Sequence, residues 1–223
     1  TLVYGTIKVL RKNRITIKLN ENSKMDIFYG DLLKQKGITV IPVNTHFDTL
    51  VTDKMVSPDS IHGQFIKSEF GGNIVELDRQ IEQSLVKYES IRIDDSGREL
   101  GKKYKYPIGT IVEVDSTGKR YYLLAVANFD NNNKANCTCD DYKTALNKLY
   151  EYIDTFSQGK CVSIPLISSG FSRINKPKQD LLINMILQAK LSEHVFLGGI
   201  NIVLYKGIKK EIGLSAVELL EKI

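Results

Sequence analysis

Apolar segments rich in β-branched residues recur along the chain at residues 2–10, 15–19, 27–29, 38–43, 108–114, 121–127, 161–167 and 200–205. Their length and composition predict strands. Between them the apolar spacing changes to three and four. Ile74, Leu77, Ile81, Leu85 and Tyr88 fall on one helical face, as do Tyr142, Leu146, Leu149, Tyr150, Ile153 and Phe156. A third helix is predicted to open near Pro177, whose missing N–H would lack a partner in a first turn anyway, and to bury Leu181, Leu182, Met185, Ile186 and Ala189. Ser215, with Glu218 three residues on, predicts a capped final helix.

Strands alternating with helices predict an α/β fold, a mixed and mainly parallel central sheet of about six strands with helices on both faces. The short link around Asn13 predicts an antiparallel hairpin between the first two segments. Residues 94–105 and 130–140, the latter with Asn131, Asn132 and Asn133, predict polar surface loops, and no internal repeat is seen.

The chain has 223 residues, 42% hydrophobic and 26% charged, which suits one soluble globular domain over residues 1–223. A net charge of +5 is compatible with an anionic ligand, with nucleic acid or with an ordinary solvated surface. Lysines occur singly or as pairs (Lys102 with Lys103, Lys209 with Lys210), without the basic arm of a nucleic-acid binder. Cys137, Cys139 and Cys161 make neither a disulfide framework nor a zinc site, so a reducing, cytoplasmic setting is expected. No apolar run approaches the roughly 18 residues of a membrane span. Because the chain starts at Thr1 rather than Met, it is expected to be part of a longer protein.

In open α/β sheets ligands bind beyond the carboxyl ends of the strands. Four polar or glycine-bearing segments follow apolar runs there: Gly30-Asp31; residues 44–49; Asn128-Phe129-Asp130; and Ser168-Ser169-Gly170-Phe171-Ser172-Arg173. In the last, Gly170 can take positive φ, successive N–H groups can converge on a phosphate oxygen, and Arg173 can add a charge-assisted bond. The same turn also reads as an ordinary strand-to-helix connection.

Gly30-Asp31 ahead of a strand, Val43-Asn44 at that strand's end and a later strand ending in Pro165-Leu166-Ile167-Ser168-Ser169-Gly170 follow the order of the macro domain, which the chain resembles over nearly its whole length. More narrowly, Gly30-Asp31-Leu32-Leu33, Ile41-Pro42-Val43-Asn44-Thr45-His46-Phe47-Asp48-Thr49 and Ser60-Ile61-His62-Gly63-Gln64-Phe65-Ile66 look like the macro domain of the Thoeris anti-phage effectors. The resemblance implies a sensor that binds an ADP-ribose-containing nucleotide and carries no cofactor, metal or catalytic residue. The signal would be NAD-derived, including one in which histidine is joined to ADP-ribose, and made by a partner TIR-domain enzyme. It also implies homo-oligomeric association on activation, and a cytoplasmic domain that meets the inner membrane only through helices absent from this chain.

By this resemblance Asp31 accepts from the adenine amino group and Asn44 contacts the distal ribose. Ser60, His62, Gly63 and Gln64 form a first diphosphate loop; Ser169, Gly170, Phe171 and Ser172 form the second, with Phe171 covering the ligand. Thr45, Phe47, Asp48, Thr49, Phe129, Ser168 and Arg173 complete the candidate ligand-binding set. From the residues alone, Asp31 also reads as a helix N-cap, Asn44 as a strand terminator and Phe171 as a core residue.

A macro-type ADP-ribosyl hydrolase is the second reading, with Asn44, His46, Asp48 or His62 orienting or activating water. It ranks lower because the first loop carries Ser57, Pro58, Asp59 and His62 where hydrolytic members have a glycine triplet. A poly(ADP-ribose) or nucleic-acid interaction module is the third. No P-loop or serine nucleophile elbow occurs. Pro42 is unusual in a central strand, since it cannot donate to a ladder.

Overall fold

The computed structural model describes residues 12–71, 73–93, 100–129, 135–168 and 174–222. In chain order the elements are β1 (Arg14–Lys18), β2 (Lys24–Tyr29), β3 (Ile38–Asn44), α1 (Ile61–Phe65) with a π-helical continuation over Ile66–Phe70, and α2 (Ile74–Leu85). There follow β4 (Ile91–Arg92), β5 (Tyr104–Lys105), β6 (Ile111–Ser116), β7 (Lys119–Phe129), β8 (Ala135–Asn136) and α3 (Cys139–Phe156). β9 (Val162–Pro165), α4 (Lys178–Leu191), β10 (Ile200–Leu204) and α5 (Leu214–Glu218) complete the fold.

The main sheet runs β1-β2-β10-β9-β3-β7-β6, with β8 paired to the end of β7. β2, β10, β9, β3 and β7 are parallel, while β1 and β6 pair antiparallel at the two ends. β7 is buried on both faces: Tyr121, Leu123 and Ala125 pack on one side and Tyr122, Leu124 and Val126 on the other. Such a strand reads as a continuous apolar run rather than an alternating one. The first face carries α1 and α2 over Ile41, Val43, Val112 and Val114. The second carries α3, α4 and α5 over Ile17, Met25, Ile27 and Val40.

The crossovers leave β3 and β9 on opposite faces. From β3 the chain passes through α1 and α2 on the first face toward β6, and from β9 it passes through α4 on the second toward β10. Two adjacent parallel strands whose connections diverge in this way open a crevice at their carboxyl ends. Pairing between them is limited to Ile38 with Val162 and Thr39 with Ser163. Pro42, half-buried and opposite Leu124 of β7, lies beyond the last of these pairs. Its place in a central strand is tolerated because the sheet has already parted there.

Helix α2 protects the β6 edge. Gln80, Ser84 and Tyr88, at helical spacing, bond the outward backbone groups of Asp115, Glu113 and Ile111 in turn. An edge whose donors and acceptors are occupied offers little to another strand. α3 opens with a reciprocal capping box between Thr138 and Asp141.

Several expectations are revised. α5 begins at Leu214 with Gly213 as its N-cap and no side-chain cap bond, so Ser215 lies in the first turn instead. Burial of Leu214 in the core sets that start, overriding the local capping preference. Phe156 is exposed, at the end of a face that is otherwise core. The stretch 94–105 is not all loop, because β5 pairs with β4 in a small hairpin. β6 starts at Ile111 rather than at residue 108, after Gly109 at positive φ. Residues 2–10 lie outside the described residues, and the antiparallel hairpin described at that end joins β1 to β2.

Gly37 (φ +79°) and Gly118 (φ +78°) share a left-handed backbone but not a neighbourhood. A Cβ on Gly37 would lie 2.3 Å from the Cys161 carbonyl oxygen, whereas one on Gly118 would meet nothing within 4 Å. Gly118→Ala is therefore expected to cost about 1 kcal/mol of unfolding free energy. Gly37→Ala should cost about 3 kcal/mol or more, because backbone must move as well. Urea denaturation of the two variants checks the difference.

Candidate functional site

The rim of the crevice is built first by residues 44–49. The Asn44 side-chain oxygen accepts from the backbone N–H of His46 at 2.9 Å and lies 3.5 Å from that of Asp48. This curls the chain as it leaves β3, a local device that asparagine supplies readily. Thr45 donates its N–H to the Ala127 carbonyl at 2.9 Å, and its hydroxyl lies 3.5 Å from the Asn128 side-chain oxygen, which ties the loop to β7. Phe47 takes φ 53°. That conformation costs about 1–2 kcal/mol for an L-residue. Burial of a phenylalanine side chain returns about 1.5–3 kcal/mol. Burial wins: Phe47 is 1% exposed and packs edge-on against Tyr106, ring centroids 5.8 Å apart.

The next side chains also face inward. His46 Nδ1 lies 3.0 Å from the Tyr104 carbonyl oxygen, which makes Nδ1 the protonated nitrogen. Asp48 accepts from the Lys102 N–H at 2.8 Å. Thr49 donates to Asp78 of α2 at 2.8 Å, and Lys102 Nζ is 2.6 Å from the same carboxylate oxygen. Asn44, Thr45, His46, Phe47, Asp48 and Thr49 are all buried. Lys102, Tyr104, Tyr106 and Asp78 were not among the residues singled out in the sequence. Asp78 lies on the polar side of α2, and the other three lie in a short polar segment that only its docking on the loop gives a role.

Residues 57–64 form a second wall. Ser60 caps α1, accepting from the Gly63 N–H at 3.0 Å and donating to the Ser57 carbonyl at 2.7 Å. Gly63 is required by close approach, since a Cβ would stand 2.3 Å from the Ser57 carbonyl oxygen. Gln64 is exposed, and its amide donates to the Asp59 carbonyl at 2.9 Å. His62 is buried, and desolvation, helped by the nearby Lys102 charge, pushes its pKa down to about 3. It is a neutral imidazole throughout the physiological range.

At the end of β9, Ser168 is buried with φ 59°, and its hydroxyl lies 3.5 Å from the Cys137 thiol ahead of α3. Burial raises that thiol to about 11, leaving it protonated and unreactive near neutrality. Ser169, Gly170, Phe171, Ser172 and Arg173 lie outside the described residues, as do Asp130 and the Asn131 run. At the end of β2, Gly30 N–H bonds the Leu204 carbonyl at 2.9 Å, which sets Asp31 beside the end of β10. Asp31 is exposed, accepts from the Leu33 N–H at 3.1 Å and has Lys34 Nζ at 3.7 Å. Tyr205, one residue past β10 and exposed, stands at the same corner. It was read in the sequence only as the end of a strand. Phe129 is half-buried at the end of β7, paired with Ala135.

The parallel strands thus bring Asp31, Asn44, Phe129 and Ser168 to one edge of the sheet, two of them on the strands that flank the crevice. Among the described residues, no group of three His, Cys, Asp or Glu side chains is placed to hold a metal ion, and no helix is long and apolar enough to cross a membrane.

A mixed α/β sheet of this order with a carboxyl-edge crevice is the macro-domain fold. A macrodomain from Oceanobacillus iheyensis with ADP superposes with a TM-score of 0.59 at 14% identity, covering 95% of this chain and 100% of that one. A mutant of that macrodomain with ADPR superposes with a TM-score of 0.64 at 13% identity over 94% of this chain and 100% of that one. The model of the family described as Thoeris protein ThsA, Macro domain, matches residues 25–205, and the chain belongs to that family. Thoeris protein ThsA of Bacillus amyloliquefaciens (strain Y2) is 28% identical over 232 residues, spanning 99% of this chain and 75% of that protein.

The buried His62 carries a pH signature. Its folded pKa of about 3 lies below the ordinary value of 6.5, so the unfolded chain binds more protons between those limits. Its contribution to stability is complete above pH 6.5 and is lost as pH falls toward 3. Stability should therefore fall by up to about 1.4 kcal/mol per pH unit in that window. In His62→Leu that part of the slope should vanish, as followed by urea midpoints between pH 7 and pH 4.

Proposed function

We propose that the domain is the ligand-binding sensor of an anti-phage effector and that it takes an NAD-derived, ADP-ribose-containing signal into the crevice between β3 and β9. The observation that carries this reading is Asn44. It is buried at the crevice mouth, and its carboxamide oxygen is committed to the loop backbone. The amino half can then serve a ribose hydroxyl as donor. Asp31, past the end of β2 and two strands over from β9, would accept from the adenine amino group, with Tyr205 past the end of β10 beside it. The loop through Ser60 and Gly63 and the one through Ser168, Ser169 and Gly170 would flank the diphosphate. Phe47, Asp48 and Thr49, whose side chains face inward, would hold the loop rather than touch the ligand.

The two histidines favour binding over hydrolysis. His62, near pKa 3, is too weak a base to take a proton from water at neutral pH, and His46 is buried at 4% exposure, its ring held on the Tyr104 carbonyl as part of the loop's scaffold. The family and the ADP and ADPR of the Oceanobacillus macrodomain structures agree with an ADP-ribose-type ligand. Production of the signal by a TIR-domain enzyme, and association of copies on binding, belong to the same proposal.

Isothermal calorimetry should show binding of ADP-ribose in the micromolar range, about 8 kcal/mol of binding free energy. Asn44→Asp keeps the acceptor that curls the loop but removes the donor and adds charge; it should lose about 1–3 kcal/mol. Gly170→Glu, which sets bulk and negative charge in the second diphosphate loop, should abolish binding. Equal affinity in all three proteins would show that the ligand sits elsewhere. Chromatography of an ADP-ribose conjugate after incubation with the domain should return it intact, and turnover would make the protein a hydrolase.

A further inference from the structure

Two residues of the site loop do double duty. Asn44 Oδ1 faces the backbone N–H groups of His46 and Asp48, and the side chains of those same residues hold the backbone of the segment that follows the small β4–β5 hairpin's first strand. His46 Nδ1 meets the Tyr104 carbonyl at 3.0 Å, and Asp48 Oδ1 takes the Lys102 N–H at 2.8 Å. A third bond, from the Tyr106 N–H to the Thr45 carbonyl at 2.9 Å, completes the seam. Loop residues Thr45, His46 and Asp48 thus meet every second residue of the facing segment, Tyr106, Tyr104 and Lys102, through one backbone and two side-chain partners on the loop side.

Beyond the seam, Lys102 Nζ ties the segment to Asp78 of α2 at 2.6 Å and the Tyr106 ring packs on Phe47 of the loop. The hairpin's own pairing comprises Ile91 with Lys105 and Arg92 with Tyr104, extended by the Ile93 N–H to the Lys103 carbonyl at 2.8 Å. Its apolar side chains Ile91 and Tyr104 are 68% and 50% exposed. A two-stranded hairpin of this kind is marginal by itself in water. Its docking therefore draws on the geometry of residues 44–48, which supply the three seam bonds and the Phe47 ring and which Asn44 curls.

We propose that His46 and Asp48 are positioning residues that couple the β4–β5 hairpin to the crevice, so that occupancy at Asn44 changes how firmly the hairpin is docked. The inference rests on the proposed binding of an ADP-ribose-type ligand beside Asn44. A ligand that engages the Asn44 carboxamide restrains the acceptor shared by both loop amides, and both seam bonds tighten together. Coupling of this kind is reciprocal: the factor by which the ligand strengthens docking is the factor by which the docked form binds the ligand more tightly than the undocked form.

The test uses ADP-ribose as probe and follows amide hydrogen exchange by NMR at Lys102 and Tyr106, the two hairpin-side donors of the seam. In the unaltered protein, saturation with ADP-ribose should slow exchange at both amides at least about fivefold, the lower end of ordinary coupling. His46→Phe keeps the buried volume and removes the ring donor. It should speed exchange at Lys102 and Tyr106 in the free protein, leave the amides of α3 and β10 unchanged, and shrink the slowing that saturating ADP-ribose produces at those two amides. A merely structural His46 would speed exchange equally in the free and the saturated protein. Calorimetric binding of ADP-ribose with no change at Lys102 and Tyr106 overturns the coupling alone. Failure of ADP-ribose to bind overturns the functional reading and the coupling with it.

Discussion

β3 and β9 are hydrogen-bonded over two residue pairs and then part, because the chain leaving each of them turns to a different face of the sheet. The crevice follows from that divergence. So does the tolerance of Pro42, which would remove a ladder bond from an ordinary central strand and here lies where β9 no longer pairs with β3. The rim residues inherit their positions from the same event. Asn44 ends one of the parting strands, and Leu166, Ile167 and Ser168 lead away from the other.

Beneath the rim, polar groups are arranged to hold the backbone rather than to react. Asp48, Thr49, Asp78 and Lys102 are linked through hydrogen bonds and an ion pair between the β3 loop, α2 and the segment before β5. Buried polar groups of this sort must be satisfied or they destabilise the fold, and a fully connected set rigidifies what it joins. The neutral His62 beside them fits the same pattern, since a charge there would be buried. A loop held in this way, with the Asn44 carboxamide at its mouth, agrees with the proposed binding site, where the donor must already be in place when the ligand arrives.

Particular elements show how far sequence reading reached. The helices at Ile74, Tyr142 and Leu181 were legible because an amphipathic stripe is a local pattern repeated over several turns. β7 was legible as an uninterrupted apolar run. The final helix was misplaced by its cap, because Leu214 finds a core position that outweighs a hydroxyl at Ser215. The first loop, through Ser60, His62, Gly63 and Gln64, was assigned a diphosphate role by resemblance alone. The sequence could not show that His62 is sealed from solvent, nor that Gly63 is demanded by the Ser57 carbonyl. The β4–β5 hairpin was read as loop because two residues per strand leave no periodicity to detect.

The sequence by itself determined the class of fold, the order of its elements and the places where chemistry could sit, since these depend on side-chain period and on residues placed just past apolar runs. Tertiary structure alone decided which of those residues turn toward the crevice and which turn away to fasten it. That choice depends on contacts between segments far apart in the chain, such as His46 with Tyr104 and Thr49 with Asp78, and no local pattern encodes them.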